Sequence, residues 1–140
     1  ITDNDSASIE FNSTNTTTVE SITSQDITIE LSTTSVSDTT VEFAITGTAG
    51  TNDFTLASGI ATITAGNTTT TITIASIVDD LIVEGTETVI ITLSAPTGAT
   101  LGTNTVYTHS ITDNDSASIE FNSTNTTTTE STTSQDITIE

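Results

Sequence analysis

Apolar residues alternate with polar ones along most of this chain, and this period of two is the feature that most constrains its fold. The pattern occurs at Ala7-Ile9-Phe11, Ile27-Ile29-Leu31, Val41-Phe43-Ile45, Ile72-Ile74, Val89-Ile91-Leu93 and Tyr107-His109-Ile111. Alternation of this kind indicates strands with one buried face. The positions between are mostly Thr, Ser and Glu, and β-branched Thr suits the solvent face of a pleated sheet.

Turn signals separate these segments, and no stretch has a helical period. The signals include Gly47-Thr48-Ala49-Gly50, Ser58-Gly59, Ala65-Gly66-Asn67 and Pro96-Thr97-Gly98. Pro96 is the only proline, and we expect it to end the strand that contains Leu93. The sequence therefore predicts an all-β fold, a seven-stranded antiparallel β-sandwich of the immunoglobulin-like kind.

The first 30 residues return at the end of the sequence. Residues 1–30 recur at 111–140 with two changes, Val19 to Thr129 and Ile22 to Thr132, which defines a period of 110 residues. Near-identity over this length indicates a tandem array of structural units. We expect residues 1–5 to end a preceding repeat, residues 6–115 to form one complete repeat, and residues 116–140 to supply the first strands of the next.

The charge of the chain excludes several classes of partner. Nineteen carboxylates are present with no Lys or Arg, so the net charge is −19 and neutralising cations must come from solution. Nucleic acids and anionic lipids are bound through Lys and Arg, so we expect no nucleic-acid partner and no membrane insertion. Cys is absent as well, which leaves a bound metal as the available cross-link for a small domain outside the cell.

Four carboxylates lie close together in one loop, at Asp79, Asp80, Glu84 and Glu87. Calcium takes about six to eight hard oxygen ligands, and a flexible loop can offer carboxylate and backbone oxygens together. Zinc and copper prefer Cys or His, and His109 is the only residue of either type. The residues favour a calcium site; a solvated acidic turn without a ligand is the alternative.

A wider set of motifs resembles the Calx-beta domain family along the whole repeat. The motifs are Gly47-Thr48-Ala49, Asn52-Asp53-Phe54, Gly59, Gly66-Asn67-Thr68, Asp79-Asp80, Glu84, Glu87, Leu93-Ser94, Leu101-Gly102 and Ile111-Thr112-Asp113-Asn114-Asp115. This resemblance implies a sandwich that binds several calcium ions at one end. Domains of this family occur in sodium/calcium exchangers and as tandem repeats in bacterial surface proteins.

Matching the family's motifs position by position implies a set of calcium ligands. They are the carboxylates of Glu20, Asp53, Asp79, Asp80, Glu84, Glu87, Asp113 and Asp115 and the backbone carbonyl of Ile82. Asn114 and Leu81 stand where strong binders of the family carry further Asp residues, so we expect fewer or weaker sites. Asp3 and Asp5 repeat the closing motif at the preceding junction, where a bound ion would stiffen the hinge between repeats.

The sequence gives no sign of an enzyme. His109 is the only candidate general base, and its place between Tyr107 and Ile111 predicts a packed core histidine. The chain has no GxSxG motif and no Gly-rich phosphate loop, and its paired carboxylates suit metal binding better than glycoside hydrolysis.

We expect the repeat to belong to a secreted or surface-exposed bacterial array, in which calcium stiffens a stalk or filament that projects an adhesive tip. The partners would then be neighbouring copies of the same repeat, in one covalent chain or in a polymer that exchanges edge strands. Two alternatives are a calcium-sensing regulatory domain and a passive spacer in a large secreted enzyme.

Overall fold

The structure, a computed structural model, describes residues 6–131 and 133–140, and this part of the chain contains nine strands. They are β1 (Ser8–Phe11), β2 (Asn15–Val19), β3 (Ser24–Leu31), β4 (Thr39–Gly47), β5 (Gly59–Ile63), β6 (Thr69–Ala75), β7 (Glu87–Thr97), β8 (Thr100–Leu101) and β9 (Val106–Thr112). The six segments of alternating sequence form β1, β3, β4, β6, β7 and β9, as predicted.

The strands form two sheets, one with the order β6-β3-β1-β8 and the other with the order β2-β9-β7-β4-β5. Among the described strands, β1 with β8 and β2 with β9 pair in parallel, and the other pairs are antiparallel. The prediction of an all-β sandwich is confirmed. Its details differ, because nine strands replace the expected seven and the sheets are not wholly antiparallel.

Two of the strands that the pattern did not predict lie at sheet edges. β2 reads Asn-Thr-Thr-Thr-Val, and its half-buried Thr16 and Thr18 bond to the ring of His109 instead of entering the apolar core. β8 has two residues, both exposed. An edge strand pairs on one side and need not bury an apolar face, so neither strand shows a period of two.

The core lies between the sheets, where the alternating apolar side chains meet. Ile9, Phe11 and Ile29 from one sheet and Val41, Val89 and Ile91 from the other are fully buried. The rings of Phe11 and Tyr107 join the two sheets with their centroids 5.5 Å apart. His109 is buried beside them, as expected for a packed histidine.

Two irregular positions shape the loops that leave the sheets. Gly47 has a φ of 129°, and a Cβ atom there would lie 2.1 Å from the Thr88 carbonyl oxygen, so only glycine fits where β4 ends. Pro96 does not end its strand as predicted. β7 continues to Thr97 through a shift in its register with β4, a place where a strand tolerates proline.

Beyond the sandwich, residues 116–131 and 133–140 contain one isolated bridge, between Phe121 and Ile139. That this segment begins a following repeat stays a prediction. Residues 1–5, assigned from the sequence to a preceding repeat, lie outside the described residues. Among the described residues there is no helix of the length and apolarity needed to cross a membrane.

Candidate metal centre

Strand direction gathers carboxylates at one end of the sandwich. β2 and β9 run in parallel with Val19 opposite Thr112, so Glu20 and Asp113 leave the two strands side by side. Glu87 begins β7 opposite Ile111 and so lies at the same end. We call this end the carboxylate pole. It is formed by Glu20, Asp53, the loop 79–87, and Asp113 to Asp115.

Three of these residues form the tightest cluster. One carboxylate oxygen each from Glu20, Asp113 and Asp115 lie within 4.8 Å of one another. Glu20 is 5% exposed, and the two aspartates are half-buried. We call these residues the triad. Three acidic side chains at this separation match the carboxylate chemistry of a divalent-cation site.

Backbone donors fix part of the triad and leave one oxygen without a partner. The Asp113 carboxylate accepts the N–H of Asp115 at 2.6 Å and the N–H of Glu84 at 2.5 Å. Glu20 Oε1 accepts the N–H of Asn114 at 3.2 Å. Asp115 Oδ2 is buried and accepts no hydrogen bond. Since such an oxygen is costly to desolvate, it marks a place where a cation can bind.

The pKa values of the triad show uncompensated negative charge. The N–H of Asn114 lowers the pKa of Glu20, but desolvation and the neighbouring aspartates outweigh it, so the pKa is raised. Desolvation, followed by the charges of Asp113, Asp79 and Asp80, raises the pKa of Asp115. The pKa of Asp113 is lowered by its two backbone donors. Glu20 and Asp115 therefore bind protons more readily than isolated carboxylates do when no cation is present, whereas Asp113 keeps its charge.

A cavity of about 170 Å³ opens beside the triad. Six carboxylates line it, those of Glu20, Asp53, Asp80, Glu84, Glu87 and Asp113, together with Asn52, Val78, Gly85 and Ile111. Burial first, and then the charges of Asp53 and Glu84, raise the pKa of Glu87. The cavity thus holds a second group of acids, centred on Glu87, next to the triad.

The structure brings all the predicted carboxylates to the carboxylate pole. Glu20, Asp113 and Asp115 form the triad, while Asp53, Asp80, Glu84 and Glu87 line the cavity. Asp79 joins them through Asn114, whose Nδ2 donates to Asp79 Oδ1 at 3.1 Å. Ile82 donates its N–H to Asp80 Oδ1 at 2.7 Å, and the role of its carbonyl as a ligand stays a prediction.

Asn114 and Asn52 are the residues of this site that the sequence reasoning did not assign. The motif predicts Asn114 only as a missing charge, but its side chain donates a hydrogen bond to Asp79 and so links Asp79 to the segment that carries Asp113 and Asp115. Asn52 lines the cavity next to Asp53. Their positions next to predicted ligands, in the motifs Asn52-Asp53-Phe54 and Asp113-Asn114-Asp115, are the signal that could have identified them.

Three carboxylates outside the pole accept hydrogen bonds from the chain itself. Glu10 Oε2 accepts the N–H groups of Thr103 and Asn104, at 2.8 and 2.9 Å. Asp38 accepts the N–H of Ala65, and Asp26 accepts the Thr73 hydroxyl. These acids cap turns or bridge strands, so they need no cation, in contrast to Asp115.

A family model of the Calx-beta domain matches residues 2–115. The chain belongs to the Calx-beta domain family. This confirms the resemblance inferred from the motifs, and the match covers β1 to β9 and every residue of the carboxylate pole.

Several solved structures have the same fold as this Calx-beta chain. The apo-form Calx CBD1 domain is 24% identical, with a TM-score of 0.71, over 79% of this chain and 100% of that one. The calcium binding domain CBD12 of CALX1.1 is 24% identical, with a TM-score of 0.68, over 76% of this chain and 44% of that one. A putative carbohydrate binding protein from Bacteroides ovatus is 13% identical, with a TM-score of 0.58, over 75% and 36%. No curated protein matches the chain significantly.

Proposed function

We propose that this Calx-beta domain binds calcium at the carboxylate pole and serves as a structural repeat of an extracellular bacterial stalk or filament. The observation that carries the calcium assignment is the triad, in which Asp115 keeps a buried oxygen without a donor beside Glu20 and Asp113. The chain has no Lys or Arg that could neutralise this charge.

The donor set favours calcium over other metals. Six carboxylates line the cavity, and Asn52 adds an amide oxygen, so the centre offers hard oxygen ligands in the number that calcium requires. His109 cannot add a nitrogen ligand, because both of its ring nitrogens bond to Thr16 and Thr18. The related domain that is named as calcium binding supports the same choice.

Calorimetric titration of the chelator-treated chain with calcium tests the assignment. We expect Asp115→Asn to weaken binding, since it removes the charge of the triad's unpartnered oxygen. Asp136→Asn makes the same chemical change at an exposed position and is the matched control. Absence of calcium binding by the unsubstituted chain, or equal loss in the two variants, would refute the proposed site.

The stalk role rests on the repeat and on the direction of the chain. Ser8 at the start of β1 pairs with Thr100, at the end remote from Glu20, while β9 finishes at the carboxylate pole. Successive repeats would therefore join end to end, with the carboxylate pole of one at the entry of the next. We propose that neighbouring copies are the partners of this domain and that it lies on a bacterial surface or is secreted.

Small-angle scattering of a longer stretch of repeats, with calcium and with chelator, tests the stalk role. We expect a larger maximum dimension with calcium, because an ion at each junction limits bending. An array of equal flexibility in both conditions would favour a passive spacer instead.

We also propose that the role is not enzymatic. His109 is fully buried, and burial lowers its pKa, so it stays neutral and packed rather than available to a substrate.

The alternative of a calcium sensor predicts a conformational change confined to the carboxylate pole. Amide hydrogen exchange with and without calcium would distinguish it from uniform stiffening.

A further inference from the structure

Three consecutive apolar side chains are exposed at the carboxylate pole. Leu81, Ile82 and Val83 are 90%, 61% and 51% exposed, and we call residues 81–83 the apolar loop. Single apolar residues are common on protein surfaces, but a continuous exposed group of them marks a contact with another surface. Leu81 also stands where strong calcium binders of the family carry Asp, so an apolar side chain occupies a position suited to a ligand.

Hydrogen bonds hold the apolar loop beside the segment that leaves β9. On one side of the loop, the Glu84 N–H donates to the Asp113 carboxylate. On the other side, Asp79 Oδ1 accepts the Asn114 side-chain amide at 3.1 Å. The apolar loop therefore projects next to residues 113–114, where the chain leaves the sandwich.

A groove of about 720 Å³ lies at the opposite end of the sandwich. Its three walls are residues 6–7, 33–36 and 98–100, and we call it the entry groove. The Thr100 N–H donates to the Ala7 carbonyl at 2.9 Å, and the Ser8 N–H donates to Ser32 Oγ at 3.0 Å. These bonds tie the walls to one another, so the groove is formed before anything enters it.

The entry groove offers apolar contacts and no charge. Val36 is 98% exposed, while Ala7 and Ala99 lie against the core. The other described residues of its walls are Ser, Thr and Gly. Because the chain has 19 carboxylates and no Lys or Arg, most contacts between copies would bring like charges together. A surface that presents no carboxylate is one that the acidic pole can approach without this repulsion.

The repeat in the sequence brings these two surfaces together. Asp115 is followed directly by Ser116, the copy of Ser6, and Ser6 belongs to a wall of the entry groove. From Asn114, which bonds to the base of the apolar loop, to Ser116 the backbone spans at most about 7 Å. In a repeat that follows Asp115 with the fold of residues 6–115, the entry groove would therefore open beside the apolar loop of the repeat before it.

We propose that the apolar loop of one repeat docks in the entry groove of the repeat that follows. The contact rests on the proposed stacking of repeats end to end, to which it adds the two surfaces that meet. The apolar loop leaves water for Val36, Ala7 and Ala99. Two sandwiches are then joined at a second place besides the covalent junction, which limits their bending and rotation.

A disulfide trap tests the contact, since the chain contains no cysteine. The full chain is lengthened after residue 140 by a second copy of residues 31–115, which completes a second repeat. Leu81→Cys in the first repeat is combined with Val36→Cys in the second, and the dilute protein is oxidised. We expect the disulfide to form at least about 10-fold faster than when Leu81→Cys is combined with Ile60→Cys of the second repeat, because docking raises the local concentration of the paired thiols. Ile60 is 65% exposed and lies on β5, outside the entry groove.

A matched pair of charge variants tests whether the entry groove carries the contact. Thr34→Asp in the second repeat places a carboxylate in the groove and should slow the trap. Thr71→Asp adds the same charge at an exposed position of the edge strand β6, where charge is tolerated, and should leave the rate unchanged.

Three results would overturn the proposal. They are equal rates for the traps at Val36 and Ile60, equal effects of the two Asp variants, and disulfides that join separate molecules instead of the two repeats of one chain. Calcium titration and scattering of the lengthened chain without cysteines report separately on the metal centre and on the stalk role.

Discussion

Replacing Glu20 by Gln removes one negative charge from the triad but keeps the side-chain oxygen that accepts the N–H of Asn114. Without calcium, the N–H of Asn114 favours the charged Glu20 side chain, but desolvation and then the nearby Asp113 and Asp115 oppose that charge more strongly and raise its pKa. The variant should therefore melt at a higher temperature than the parent in chelator. With calcium, the variant lacks one ligand and should melt at a lower temperature than the parent.

The magnitude of the calcium effect follows from mass action. A ligand at 100 times its dissociation constant stabilises the folded state by about 2.7 kcal/mol per site. Unfolding of the repeat, residues 6–115, carries an entropy of about 0.23 kcal/mol/K at about 2.1 cal/mol/K per residue. One bound calcium ion, at 100 times its dissociation constant, should thus raise the Tm of the parent by about 12 °C. Glu20→Gln should remove most of this increase.

Differential scanning calorimetry of both proteins, with excess calcium and with chelator, measures the four Tm values. Glu130→Gln is the matched control, since Glu130 is the copy of Glu20 in residues 116–140, is exposed there, and should leave both values unchanged when it is replaced. A Glu20→Gln protein that keeps the full calcium increase would show that the triad is not the site. A Glu20→Gln protein that melts at a lower temperature than the parent in chelator would show that Glu20 stabilises the calcium-free carboxylate pole.

Three further predictions concern protons, packing and the backbone. The increase of Tm on adding calcium should shrink as the pH falls from about 7 towards 4.5, the ordinary pKa of a glutamate, measured by melting at each pH. The reason is that the raised pKa values of Glu20 and Glu87 let the calcium-free folded state take up protons at a higher pH than the unfolded chain, so acid stabilises the calcium-free fold. The lowered pKa of His109 has the opposite effect on stability in acid, and this effect is the same with and without calcium. Phe11→Ala should cost about 3–5 kcal/mol of unfolding free energy in a urea titration, whereas Phe121→Ala, at its exposed copy, should change it by less than about 0.5 kcal/mol; equal effects would contradict the assignment of the core. Gly47→Ala should lower the unfolding free energy by more than about 1 kcal/mol, because its Cβ would collide with the Thr88 carbonyl, and a neutral result would show that β4 ends differently.

Much of the fold could be predicted from the period of two. The apolar positions of β1, β3 and β9 in the sequence are the buried positions of the structure, because one face of each strand meets the opposite sheet. β2 could not be found this way. Its inward residues are threonines that bond to His109, so the strand is held by hydroxyl groups and leaves no apolar signal.

The carboxylate pole could be predicted in its membership but not in its internal arrangement. The family motifs indicated which acids gather, and strand direction explains why Glu20 meets Asp113. Spacing alone could not show that Asp115 keeps an unpartnered buried oxygen, or that the Asn114 side chain bonds to Asp79. Those features depend on side-chain rotamers and on where the chain turns after β9.

The parallel pairing of β2 with β9 has a mechanical consequence. Tension applied through the two ends of the repeat would pull β9 towards the carboxylate pole and β1, with β2 behind it, in the opposite direction. The two strands would then slide along each other, so the five pairs from Asn15 with Thr108 to Val19 with Thr112 resist together rather than open one at a time. An ion held by Glu20 and Asp113 would cross-link β2 and β9 next to the last of these pairs, Val19 with Thr112. The force needed to rupture the domain would therefore rise with calcium.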